Sequence, residues 1–223
     1  MADSQNNRTP PTAQDQRLTR LILLGLLLGA AGTGIALPFA YESTTMWYKI
    51  GLDKALLRAG KICGLLALTL ICAQSIVGLR PKPLEQAFGT SSLLRWHRRG
   101  GTLIVLLAVL HVLLTLVPEG LKNLPIGYKF WPEMLGSVLL VILIIHVSYS
   151  RLRERWRLAY QRWRTIHRSL AWCILLLAPV HVLFVSETFS QTVPRFWIAG
   201  VVGITLAAQL TVRLGRRLAA RQR

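Results

Sequence analysis

Long apolar runs alternate along the chain with short polar connections, most of them basic. Six runs, near 18–40, 59–79, 100–118, 134–150, 168–186 and 196–214, approach or reach the roughly 17–25 residues a helix needs to cross a bilayer. The fourth and sixth stand near the lower limit. The pattern predicts an all-α protein, an integral membrane bundle of six transmembrane helices. Residues 1–16 are polar, with Asn6, Asn7, Pro10 and Pro11, and read as a disordered cytoplasmic N-terminus. Residues 17–215 then form the six-helix domain and 216–223 a basic cytoplasmic tail, with no length left for a soluble domain. The first run, "RLILLGLLLGAAGTGIALPFA", exceeds an ordinary signal-peptide core and is followed by no clear small-x-small site, so it is expected to stay as a helix.

Charge changes the picture through its placement. The chain has 27 Lys and Arg against 9 Asp and Glu, a net +18. In a six-span topology, 20 of the basic residues fall with the two termini and 7 on the other side. The positive-inside rule then puts both termini in the cytoplasm of a multi-pass inner (plasma) membrane protein. The same excess suits contact with anionic membrane lipid, and without an exposed basic domain no nucleic-acid partner is expected. Cys63, Cys72 and Cys173 lie inside runs with no CxxC or CxxCH, which fits small buried residues and excludes a covalent haem site.

Two runs carry the candidate chemistry. "RWHRRGGTLIVLLAVLHVLLTLV" holds His97 and His111, and "IHRSLAWCILLLAPVHVLFV" holds His167 and His181. Each pair is fourteen residues apart, which in a helix is 40° short of four full turns and about 21 Å along the axis. Both histidines of a pair therefore face nearly the same way. The third and fifth spans run in the same direction, so His97 is level with His167 near the cytoplasmic face, and His111 with His181 toward the outer face. Each level offers two imidazoles and no Cys, Asp or Glu, too few for zinc but suited to haem iron, whose porphyrin supplies four more nitrogens. A single histidine in a span could instead hydrogen-bond a neighbouring helix; four at matched spacing favour cofactor ligation. His146, in the fourth span, has no matched partner and reads as a packing or hydrogen-bonding residue, with an alternate inner ligand as the second reading.

The segments "LLRAGKICGLLAL", "GLRPKPLEQAFG", "LLRWHRRGGTLIVLLAVLH" and "WRTIHRSLAWCILLLAPVH" together resemble the ferric reductase-like transmembrane family, over about residues 55–186. That family includes ferric reductases, NADPH oxidases and the haem subunit of a periplasmic methionine sulfoxide reductase. The resemblance implies two haem b groups, the inner on His97 and His167 and the outer on His111 and His181. Six-helix ascorbate-linked cytochromes b spread their histidines over four helices, unlike this chain. Two features depart from the larger relatives. No flavin or nicotinamide domain and no Gly-rich phosphate loop occurs in the sequence, so the expected donor is a partner: a separate flavoprotein, bringing its flavin, or a quinol, bringing quinone. Where superoxide-forming relatives often carry a histidine one turn beyond the outer ligand, this chain has Thr115, which argues against oxygen reduction.

The expected function is transfer of single electrons from the cytoplasmic side to an outer acceptor such as ferric iron. Electron delivery to a periplasmic acceptor protein, such as a methionine sulfoxide reductase, is the alternative; a haem-free scaffold or transporter is the non-enzyme reading. Arg98, Arg99, Arg164 and Arg168 could pair haem propionates or simply anchor the helices. Trp172 could bridge the cofactors but is expected to pack, and Gly64, Gly100 and Gly101 would allow close approach. The outer segment "PEGLKNLPIGYKFWPE", with Lys122 and Lys129, could shape an acceptor site or be an ordinary connection anchored by Tyr128 and Trp131.

Overall fold

A computed structural model describes residues 12–120 and 125–222. In chain order the helices are α1 Ala13–Ala40, α2 Thr44–Trp47, α3 Gly51–Leu79, α4 Lys82–Phe88, α5 Thr90–Glu119, α6 Trp131–Arg151, α7 Tyr160–Val185 and α8 Thr192–Arg221. All but α2 and α4 are long and apolar enough to cross a membrane, α6 counted with the 3-10 turn Tyr128–Phe130 before it. No strand occurs among the described residues. The all-α, six-span architecture is therefore the one expected; Lys122 and residues 1–11 lie outside the described residues.

The helices outrun the apolar segments. The second span begins at Gly51 rather than near 59, the third at Thr90 rather than near 100, and the fifth at Tyr160 rather than near 168. The added turns carry Lys54 and Arg58, Arg95 to Arg99, and Arg162 to Arg168. Lys and Arg are good helix formers whose long stems lie along apolar surface while the charge reaches water, so they end the hydrophobic pattern without ending the helix. The basic tail expected over 216–223 is likewise helical through Arg221. At the other terminus, residues 12–16 of the lead expected to be disordered are ordered as the start of α1: Thr12 caps it, accepting from the Asp15 N–H while Asp15 accepts from the Thr12 N–H.

Local chemistry explains the breaks. Arg80 ends α3 in the left-handed region at φ 49°, and Pro81 follows, which cannot continue the helix. Gly89 at φ 75° separates α4 from α5.

α3 packs along α5, α6 packs along α7, and α1 and α8 cover α3. Leu37, Leu65, Leu68, Cys72, Leu139, Leu175 and Ile198 form the main buried cluster. Ties at each end fix the up-and-down order. At the end holding both termini, Arg20 reaches the Ala87 carbonyl and Arg216 Nη2 donates to Leu79 O at 2.6 Å. At the opposite end Lys49 Nζ donates to Pro118 O at 2.8 Å and Thr188 Oγ1 to Tyr41 O at 3.0 Å. α5 and α7 consequently run in the same direction, as the sequence implied. The opposite end also gathers carboxylates: Glu42 bonds Lys54 Nζ at 2.9 Å and pairs with Arg58, while Thr44 donates to Glu187. The Lys54 hydrogen bond is the main cause holding the Glu42 carboxyl below its usual range, and the Thr44 hydroxyl does the same for Glu187.

Candidate functional site

α5 and α7 bring the four histidines together in two levels. His97 faces His167 with ring centres 6.1 Å apart, and His111 faces His181 at 6.3 Å. The first pair, nearer the chain termini, is called proximal and the second distal. Ring planes stand at 73° in the proximal pair and 77° in the distal one.

Three of the four rings are tied back through Nδ1. His111 Nδ1 donates to the Gly60 carbonyl at 2.8 Å, and His181 Nδ1 to the Pro132 carbonyl at 2.7 Å. His167 Nδ1 donates to Ser150 Oγ at 2.9 Å, and that hydroxyl passes its own proton to the His146 carbonyl at 3.0 Å. His97 Nδ1 is buried near the Gln74 backbone but closes no hydrogen bond of standard geometry. The carbonyls can only accept, and the Ser150 hydroxyl has its proton committed to the His146 carbonyl. In His111, His181 and His167, Nδ1 therefore carries the proton and Nε2 is left unprotonated and available to a metal.

The gaps fit haem iron. With metal–imidazole bonds of about 2.0–2.1 Å and about 1.1 Å from each nitrogen to its ring centre, two axial imidazoles have centres about 6.2–6.4 Å apart. The observed 6.1 and 6.3 Å agree to within a few tenths. Among the described residues, no group of three or more His, Cys, Asp or Glu converges to hold a metal ion. Two ligands per level therefore suit an ion that brings its other four with it.

Between the levels lies an aliphatic layer. Ile104 is seven residues from both His97 and His111, and Ile174 is seven from both His167 and His181. These two isoleucines and Leu143 of α6 are buried as one cluster, with Ile71 of α3 packed against it. Seven residues is close to two helical turns, so this layer sits midway between the levels, facing the same side.

Other singled-out residues sort by position. His146, given no partner in the sequence reading, stacks on His167 with centres 4.3 Å apart and planes 22° apart. Trp163 stacks on His167 as well, at 5.2 Å, with Arg153 over the Trp163 ring at 5.1 Å. Trp172 turns toward α8, where the Arg213 guanidinium lies 5.0 Å from its ring centre, and packs against the core instead of lining the gap. Arg98, Arg99, Arg164 and Arg168 are exposed at the proximal end and make no ion pair among the described residues. Gly101 is open to Val147 at ordinary contact distance, and Gly100 abuts Gln74. Thr115 ties its hydroxyl to the His111 carbonyl at 2.8 Å.

The back-bonding carbonyls of Gly60 and Pro132, the Ser150 relay and Trp163 were not foreseen from the sequence. Backbone acceptors leave no side-chain signature, although the fourteen-residue spacing recurs on α3 and α6, in Gly64 and Gly78 and in Gly136 and Ser150.

Neither a curated protein nor a solved structure matches the chain. Residues 63–178, just over half of it, match the family described as the ferric reductase like transmembrane component. The matched stretch contains His97, His111 and His167 and stops three residues short of His181. With six helices apolar enough to span a bilayer and over half its length matched, the chain belongs to the ferric reductase-like transmembrane family.

Proposed function

We propose that the protein is a transmembrane di-haem b oxidoreductase that carries single electrons from a cytoplasmic-side donor to an acceptor at the outer face, such as ferric iron. Family membership supports the coarser part, a transmembrane oxidoreductase role. The observation that carries the finer part is the pair of bis-imidazole gaps, each of a width suited to one iron ion. Each haem b, when bound, supplies a one-electron Fe(III)/Fe(II) couple. His97 and His167 would hold the proximal group and His111 and His181 the distal one. With two histidines committed to each group, the chain offers no further ligand position for an acceptor there, and the reduction it supports would be outer-sphere.

The remaining residues serve this arrangement without doing acid–base chemistry. Gly60, Pro132 and Ser150 fix the imidazole tautomer and ring direction. Ile71, Ile104, Leu143 and Ile174 keep the space between the levels dry, so an electron crosses without a chain of water to conduct protons. The basic residues gathered at the proximal end support a cytoplasmic location for both termini. An electron moving outward then runs with an inside-negative potential, worth about 2.3 kcal/mol per 100 mV. The donor is a separate flavoprotein or a quinol.

The test uses sealed vesicles loaded with a soluble reductant and carrying the haem-reconstituted protein, with an impermeant ferric chelate outside. Ferrous iron should appear outside, and His111→Ala should reduce its formation to the protein-free rate; equal rates with and without the protein would refute the reading. A periplasm-dependent reporter fused after Arg223 should stay inactive, and its activity would reverse the assigned direction.

A further inference from the structure

Two helices packed against the ligand-bearing ones, α3 and α6, share an unexplained register. Gly64 lies against His111 and Gly78 against His97; Gly136 lies against His181, and Ser150 bonds His167. The small residues are fourteen apart on each helix, as the histidines are, because α3 runs antiparallel to α5 and α6 to α7. Four residues before each small residue lies a backbone group on the same side. The Gly60 and Pro132 carbonyls accept from the distal histidines, the Gln74 backbone lies near His97, and the His146 carbonyl is reached from His167 through Ser150.

Helix geometry explains why these positions go together. A helical side chain leans toward the N-terminus and covers the turn before it, so the residue at i+4 masks the carbonyl of residue i. That carbonyl keeps a second lone pair after bonding its own helix. With glycine at i+4, the lone pair is open to a donor from the neighbouring helix, and the space that Cβ would fill holds the donor's ring. A Cβ at Gly136 would stand 2.5 Å from His181 Cε1, at Gly64 2.9 Å from His111 Nδ1, and at Gly78 3.3 Å from His97 Cε1. At the fourth place Ser150 fills the opening with a hydroxyl that relays the hydrogen bond from His167 to the His146 carbonyl. Glycines elsewhere in the spans, such as Gly25, Gly29, Gly200 and Gly203, have nothing within 4 Å of an added Cβ.

We propose that Gly64, Gly78, Gly136 and Ser150 are positioning residues: Gly64 and Gly136 each unmask a carbonyl and Ser150 relays one, setting the tautomer and plane of one imidazole each, while Gly78 leaves the space that sets the plane of His97. The inference rests on the di-haem reading. Its consequence is the near-perpendicular ring planes at both levels, because each ring is oriented by its own support helix and not by its partner ring. Perpendicular axial π-systems leave two iron d orbitals nearly degenerate, which gives ferric haem a strongly anisotropic low-spin resonance.

The experiment measures haem content and the low-temperature electron paramagnetic resonance spectrum of purified full-length variants. The unaltered protein should show two haems with strongly anisotropic low-spin signals. Gly136→Ala and Gly64→Ala should each lose the distal haem and keep the proximal signal, which reports that the bundle is folded. Gly78→Ala, where the added carbon has a few tenths of an ångström to gain, should keep both haems but shift the proximal signal. Ser150→Ala, which keeps the space and loses the relay, should also keep both and shift that signal, and Ser150→Thr, which restores a hydroxyl, should return it. Gly203→Ala should match the unaltered protein. Two haems with unchanged signals in Gly136→Ala and Gly64→Ala would overturn the proposal, as would loss of both haems together. An unaltered protein that takes up no haem would instead remove the di-haem reading, and the proposal with it.

Discussion

The two histidine levels are built from the same spacing on the same helices, yet their surroundings differ. At the distal level both rings are pinned by backbone carbonyls, at 2.8 and 2.7 Å. At the proximal level one ring relays through a hydroxyl, the other closes no standard hydrogen bond, and His167 is held between His146 and Trp163. Carbonyl acceptors make an imidazole more basic and favour ferric over ferrous iron. At the proximal level His167 donates to a hydroxyl and not directly to a carbonyl, and His97 closes no such bond, so these rings gain less electron density. The comparison teaches that one repeated framework can hold two like groups and still make them chemically unequal, through the partner of a single nitrogen.

The largest expected effects test whether the levels are independent. His111→Ala or His181→Ala should remove the distal haem and leave most of the proximal one; His97→Ala or His167→Ala should do the reverse. A group held by two axial bonds loses one anchor outright, while the other level, about 21 Å away along the helices, keeps both. Haem content and the spectrum of each variant check this. Joint loss in every variant would mean that the two levels fold as one.

Next in size is the difference in potential. If carbonyl back-bonding at the distal level is worth about 1 kcal/mol more than the proximal relay, the distal couple lies about 40 mV lower. A spectroelectrochemical titration of the single-haem variants would resolve the two couples. A distal couple equal to or above the proximal one would break the comparison. His146→Ala should retain both haems, because His146 is stacked on His167 and does not stand opposite it across a gap. It should move only the proximal potential; loss of a haem would make His146 a ligand.

How much of this was legible in the sequence depends on which groups did the work. The histidines stood out because imidazole is rare and costly in a span, and their fourteen-residue interval needed only helical geometry to become two levels. Boundaries were less legible: Arg95, Arg98 and Arg99 lowered the hydropathy and hid the first two turns of α5, which place His97 within a helix and not at its edge. The short helices α2 and α4 carry no apolar period and went unseen. Hidden most fully were the acceptors, since the carbonyls of Gly60 and Pro132 are backbone that any residue has. Only the glycines four residues on mark where such a carbonyl is uncovered.

The smallest effect concerns the end near the distal level. Glu42 and Glu187 have carboxyls held below their ordinary 4.5, by Lys54 and Thr44 respectively. Their contribution to stability is complete above that value and is lost as pH falls through the lowered folded value. Thermal unfolding in detergent should lose a modest part of its stability below pH 4.5, by less in Glu42→Gln. An acid response identical in the two proteins would remove Glu42 from the account.

The central claim is that each level holds one haem, and haem stoichiometry tests it most directly. Pyridine haemochrome quantification of the purified chain, reconstituted with excess haem and stripped of what is loosely held, should approach two non-covalent haem b per polypeptide. A value near one would leave a level without its cofactor, and a value near zero would contradict the account.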